Sequence, residues 1–149
     1  MNTVIEQILK EIPVELAPYL SDLPGWEHWD LFTDTVRSLN REALYKSKIH
    51  GYAHIERVLI HGAVICMRLN CSPDDIRLIL AACAYHDIGR ENDLRDDSHG
   101  IRSARMITPL VPFRGESLAI IEAAVEGHSV HDIYQDEIIA KYPIGDTKR

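Results

Sequence analysis

Apolar residues recur along this chain at intervals of three and four, the spacing that places one stripe of a helix against a core. Over residues 3–12 the stripe is Val4, Ile5, Ile8, Leu9 and Ile12, and Pro13 ends it because its ring cannot continue a helix. Leu23-Pro24-Gly25 marks a turn, and Trp29, Phe32, Val36, Leu39 and Leu44 then predict a helix over 26–45. Residues 46–51 break the pattern and introduce His50. A long helix is predicted over 52–69, with Ile55, Val58, Leu59, Ala63, Ile65 and Cys66 on its apolar side and Asn70 as its stop. Ser72-Pro73-Asp74-Asp75 reads as the next start: a capping hydroxyl, proline at the first position and acids in the first turn. That helix runs through Ile76, Ile79, Leu80 and Cys83 to His86. An Asp-dense polar loop over 91–100 follows, then short helices over 101–110, over 116–128 with Leu118, Ile121, Ala124 and Val125 inward, and over 132–140. Strand-type alternation is nearly absent and no repeat or low-complexity linker interrupts the series. The expected fold class is all-α, a compact helical bundle occupying residues 1–149 as one domain.

Composition sharpens this only in places. A length of 149 residues suits one domain, and 46% hydrophobic with 26% charged residues is ordinary for a soluble globular protein. The net charge of −7 argues against general nucleic-acid binding, which needs clustered Lys and Arg, and against attachment to a membrane surface. A local basic pocket can still hold one small anion. No apolar run approaches the ~18 residues of a membrane span, and the first residues lack a secretory pattern, so a cytoplasmic location is expected. Cys66, Cys71 and Cys83 are odd in number and lack CxxC spacing, which disfavours both a disulfide framework and a zinc–thiolate cage. Trp26 and Trp29 either fill the core or anchor a homo-oligomer interface, with the core favoured.

The chemistry lies in the histidines. His86-Asp87 falls where an apolar helical run gives way to a glycine-marked turn, and imidazole with carboxylate suits a divalent transition metal such as Mn, Fe, Co, Ni or Zn. A short motif is weak alone, and His131-Asp132 is read as its chance copy. Position strengthens the first pair. His54 lies on one helix, His99 opens a segment after the polar loop, and His128 ends an inward-facing helix, so four elements offer imidazoles that a bundle can converge on a metal. His50, one turn before His54, has a supporting place. His28, His61 and His131 are read as ordinary histidines, although His61 shares the stripe of His54. Arginine forks suit phosphate, which brings forward Arg90 above all, then Arg57, with Arg95 and Arg102 nearby.

Together these pieces resemble the HD-domain metal-dependent phosphohydrolase superfamily. The matching stretches are His50-Gly51-Tyr52-Ala53-His54-Ile55-Glu56-Arg57-Val58, Ala84-Tyr85-His86-Asp87-Ile88-Gly89-Arg90, His99-Gly100-Ile101-Arg102-Ser103-Ala104, and Ile121-Glu122-Ala123-Ala124-Val125-Glu126-Gly127-His128-Ser129, in the family's order over 47–130. The resemblance implies an HD-like bundle in which His54, His86 and Asp87 ligate the principal metal. It places His99 and His128 as ligands of a second metal or as donors to substrate phosphate. One or two divalent metals per chain are implied, with a small phosphorylated substrate such as a nucleotide. Asp87, His99 and His128 are the expected catalytic groups, and Arg90 and Arg57 the substrate contacts. The family's closing aspartate has no counterpart in a late apolar helix; that last helix is expected to be missing, and Asp146 is the remaining candidate ligand. Two alternatives stay open: a non-catalytic ligand- or partner-binding module, and a di-iron oxygenase on the same frame.

Overall fold

In the computed structural model, which describes residues 20–145, the hydroxyl of Ser72 accepts the backbone N–H of Asp75 at 3.2 Å. With Pro73 at its first position, helix α3 therefore runs Pro73–Tyr85, as its start signal predicts. Before it come α1, Trp29–Ser38, and α2, Tyr52–Leu69, the latter closed by Asn70 in the left-handed conformation (φ 56°). After it come α4, His99–Met106; α5, Gly115–Gly127; and α6, Gln135–Ala140. Short 3-10 turns occupy Leu23–Gly25, Arg41–Ala43, Thr108–Leu110 and Asp132–Tyr134, and no strand occurs among the described residues. The fold is all-α, as the apolar periodicity predicts.

The core forms around α3, which packs on α1, α2 and α5. Leu59, Ala63, Ile76, Leu80 and Ile121 are completely shielded from solvent there, joined by Phe32, Ile55 and Val125. Burying one such side chain contributes about 1.5–3 kcal/mol, so this junction holds the helices that end at the histidines. Trp26 and Trp29 pack partly buried on this core, Trp29 stacking on Phe32 with ring centres 5.1 Å apart. A second, smaller cluster of Ala119, Ala123 and Ile144 ties the chain after α6 to α5.

Several boundaries and faces differ from the sequence reading. The helix expected over 26–45 is α1 alone followed by a 3-10 turn, because Leu39 turns extended (ψ 121°) and the N–H of Asn40 donates to the Tyr85 hydroxyl. On α2 the buried face is Ile55, Leu59, Ile60, Ala63 and Cys66; Val58 is half-buried and Ile65 is 53% exposed. The core touches this helix one residue further round than the stripe running from His54 suggests. On α5, Ala123 is buried and Ala124 exposed. The helix expected over 101–110 starts at His99 and stops at Met106, and that over 132–140 opens with a 3-10 turn. The stripe over 3–12 lies outside the described residues.

Two glycines bring α4 close to its neighbours. A Cβ on Gly89 would stand 2.4 Å from the backbone nitrogen of Ser103, and one on Gly100 would meet the backbone oxygens of Glu126 and Val125 at 2.6 and 2.9 Å. The close approach is bonded: the Gly89 N–H donates to the buried Ser103 hydroxyl at 2.8 Å, and Arg102 Nε donates to the Gly89 carbonyl at 2.9 Å. The turn after α3 and the middle of α4 are thus fixed to each other. Gly89→Ala should cost about 1–3 kcal/mol, the usual range for overpacking, read as a lower urea midpoint. Gly25→Ala, whose Cβ meets nothing within 4 Å, should leave the midpoint unchanged. Equal midpoints for the two variants would refute this account of the α4 contact.

Candidate metal centre

Five imidazoles converge on one carboxylate. His54 lies in the first turn of α2, His86 caps the C-terminus of α3 and Asp87 follows it; His99 opens α4 and His128 caps α5. The fifth, His50, is held by a turn in which the Ser47 hydroxyl accepts the N–H groups of Ile49 and His50 at 3.0 and 2.7 Å. Asp87 sits at the centre and is only 2% exposed.

Its two oxygens face different partners. From Oδ2, His50 Nδ1 lies at 3.1 Å, His54 Nε2 at 3.4 Å and His86 Nε2 at 3.5 Å. From Oδ1, His99 Nε2 lies at 3.0 Å and His128 Nε2 at 3.5 Å, and Arg90 Nε donates to the same oxygen at 3.0 Å. The nitrogens also approach each other: His54 and His86 Nε2 are 3.2 Å apart, His99 and His128 Nε2 only 2.8 Å.

Hydrogen bonding fixes what three of these rings present. The Nδ1–H of His86 donates to the Cys83 carbonyl at 2.9 Å and that of His128 to the Val125 carbonyl at 2.6 Å. His99 bonds the Asp96 carbonyl in the same way. Each acceptor lies three residues back, and for His86 and His128 it is a helix-end carbonyl that has no partner within the helix. A carbonyl only accepts, so Nδ1 carries the proton and the neutral ring offers an Nε2 lone pair. Lone pairs from His86, His99 and His128 therefore point at a carboxylate and at each other with no proton between them. Such a set is repulsive until a cation joins it. Imidazole and carboxylate are also the donors that divalent transition metals take, and a metal-bound histidine typically donates its other N–H to a carbonyl or carboxylate. The residues fit a metal, in two groups of ligand-capable atoms that share Asp87: His50, His54 and Asp87, and His86, Asp87 and His128.

The electrostatics agree. Burial works to raise the pKa of Asp87, but a proton taken up on the facing nitrogens of His128, His54 and His86 plays the part of a cation, and the hydrogen bonds it allows outweigh burial and hold the carboxyl far below the usual carboxylate range. Burial lowers the pKa of His99, helped by the neighbouring His128 and Arg90. The centre opens into a cavity of about 350 Å³ walled by the five histidines, Asp87, Arg90, Arg95, Asp96, Asp97 and Ser129.

The structure thus brings His54, His86, Asp87, His99, His128 and Arg90 together. Arg57 is exposed and does not line the cavity, which removes the geometric basis for its expected substrate contact. A step of three residues sets it about 60° round α2 from His54, enough to leave its side chain in solvent. His61 is exposed as well. Asp146 lies outside the described residues, and the late aspartates Asp132 and Asp136 are exposed and belong to neither ligand-capable group. His50, expected only to support the site, reaches Asp87 directly. The His50-to-His54 spacing of four was the available signal, but His50 precedes the helix and helical periodicity does not place it. Ser129 also escaped the sequence reading; its hydroxyl donates to the Asp97 carbonyl and accepts the Gly100 N–H, tying the polar loop and α4 to the residue after His128.

The His99 shift has a definite sign. Its pKa is lowered on folding, so the unfolded chain takes up a proton that the folded chain resists. That contribution to stability is complete above the unfolded value of about 6.5 and is lost as pH falls below it. Asp87 stays ionised throughout this window and adds nothing to the change. The urea midpoint of metal-stripped protein should drop between pH 7.5 and pH 5.5, and the drop should shrink in His99→Asn. A midpoint that holds level or rises on acidification would contradict the assignment.

No curated protein and no solved structure matches this chain. A family model does: that of the HD domain, over residues 51–143. The matched stretch contains His54, His86, Asp87, His99 and His128, starts one residue after His50, and takes in α2 to α6. Because it covers more than half of the sequence and contains the helices that carry these residues, the chain belongs to the HD-domain family.

Proposed function

We propose that this HD domain is a phosphohydrolase acting on a small phosphorylated molecule, a nucleotide or related metabolite. HD domains form a superfamily of metal-dependent phosphohydrolases, and the observation that carries the reading here is the set of imidazole lone pairs gathered on Asp87. In this reading His50, His54 and His86 with Oδ2 of Asp87 make one half of the centre, and His99 and His128 with Oδ1 the other. A divalent metal supplies two things to such a reaction: it lowers the pKa of water toward ~7 and neutralises a phosphoryl oxygen.

The remaining work falls to the chain itself. Asp87 is kept ionised by its histidine neighbours and serves both as ligand and as the acceptor that orients the attacking water. His99, with 6% of its side chain exposed, is enclosed behind the carboxylate and acts as a ligand. His128, with 27% exposed, faces the cavity, where its Nε2 lone pair completes the donor set beside His99. Arg90 is the phosphate clamp. Its Nε fixes Asp87, one terminal nitrogen reaches the Leu94 carbonyl at 3.4 Å, and its guanidinium lines the cavity. Arg95 lines the same cavity but is held by two bonds to Asp97, at 3.1 and 3.2 Å, so phosphate would have to compete for it.

A di-iron oxygenase is the second reading, favoured by one observation, the sharing of Asp87 between two donor groups. One experiment separates the two. Metal-replete full-length protein is offered a panel of aryl phosphates and nucleotides while phosphate release and oxygen uptake are both followed. Phosphate release is expected, and His86→Ala should reduce it by more than about 100-fold, the upper end of what losing even an outer metal partner costs. Arg90→Ala should raise KM more than it lowers kcat. Oxygen uptake without phosphate release would establish the second reading, and no phosphate release from any compound would overturn the first.

A further inference from the structure

Outside the metal centre, a second cavity of about 420 Å³ lies against the N-terminus of α2. Its floor is Leu44 and Gly51, its walls are Tyr45, Ser47 and Tyr52, and its mouth carries Arg41, Lys46 and Lys48. Among the described residues no aspartate or glutamate lines it, in a chain with net charge −7. The polar side chains there are cations or hydroxyls. The first turn of α2 has no side-chain cap at Gly51, so the positive end of an 18-residue helix adds to the donors.

The cations are differently engaged. The Arg41 guanidinium lies over the Tyr52 ring, 4.0 Å from its centre, and donates to the Tyr52 hydroxyl at 2.5 Å, which holds its plane in place. Lys46 pairs with Glu42 at 3.1 Å, but both side chains are more than 70% exposed, and such surface pairs are weak. Lys48 makes no ion pair among the described residues. The buried acid Glu56 is engaged by the Tyr52 hydroxyl and does not line the cavity. A site with three cations at its mouth, a stacked guanidinium and a second tyrosine suits a phosphate attached to a flat ring.

We propose that this cavity binds the phosphate group of an aryl or nucleoside phosphate, at a site separate from the metal centre. It is independent of the reaction assigned to that centre. The two sites share a turn: Lys48 precedes His50 by two residues, and Ser47, whose hydroxyl holds the His50 N–H at 2.7 Å, lines the second cavity. A ligand that draws Lys48 inward therefore acts on the segment that presents His50 to Asp87.

The test uses metal-stripped full-length protein titrated with phenyl phosphate, followed by calorimetry and backbone amide NMR. The amides of Ser47, Lys48, Gly51 and Tyr52 should shift, and a His86→Ala/His99→Ala variant should bind within twofold of the unsubstituted chain. Lys48→Glu should weaken binding at least tenfold, inorganic phosphate should bind more weakly than phenyl phosphate, and phenol should not bind. Adding metal back separates two sources of the phosphate, because only the far end of a longer substrate makes Lys48→Glu raise KM for turnover. The proposal is overturned if binding disappears in the double histidine variant, or if folded Lys48→Glu binds phenyl phosphate unchanged.

Discussion

Everything in this structure depends on one carboxylate that could not be buried alone. Asp87 is almost completely removed from water, where an isolated charge would cost several kcal/mol. Arg90 supplies one fixed positive charge, and five imidazoles complete the surround. Three of those rings have their Nδ1 protons committed to backbone carbonyls, so they approach the carboxylate with lone pairs. The arrangement is arranged for a cation in the way a packed core is arranged for an apolar side chain.

The helices are placed to deliver this constellation. Tight packing of Leu59, Ile76, Leu80 and Ile121 sets α2, α3 and α5 so that their histidine-bearing ends meet. The lack of a side chain at Gly89 and Gly100 lets α4 close in from the side, and Ser103 and Arg102 bond it to the turn after α3. Ser129 then links the polar loop to the end of α5. Packing and hydrogen bonds on each side thus hold the ligand-capable groups next to one another without a cation, the preorganisation that a metal site needs. The second, basic cavity uses the opposite logic at the other side of the His50 turn, with cations and, among the described residues, no carboxylate in its lining.

Much of this was legible in the sequence, for physical reasons. Helix type followed from apolar spacing, and the start of α3 from Ser72 and Pro73, because local capping chemistry needs no tertiary information. His54, His86, Asp87, His99 and His128 stood at helix ends, where a bundle can converge them. What was missed depends on geometry between elements. The break after α1 comes with a Tyr85 hydroxyl 45 residues away, and the rotation of α2 that exposes Ile65 is set by its neighbours. His50 and the lysines beside it sit in a segment without periodicity, so sequence could name them but not place them. The tautomers of the histidines were invisible, since they follow from carbonyl acceptors at the helix ends.

The most direct test is metal content of the purified full-length chain, measured by elemental analysis after equilibration with Mn, Fe, Co, Ni or Zn and removal of free ion. The account predicts one or two tightly held divalent ions per chain, and loss of all of them when Asp87 becomes Ala, because both donor groups share that carboxylate. An Asp87→Ala protein that remains folded and keeps the full complement of metal would contradict it.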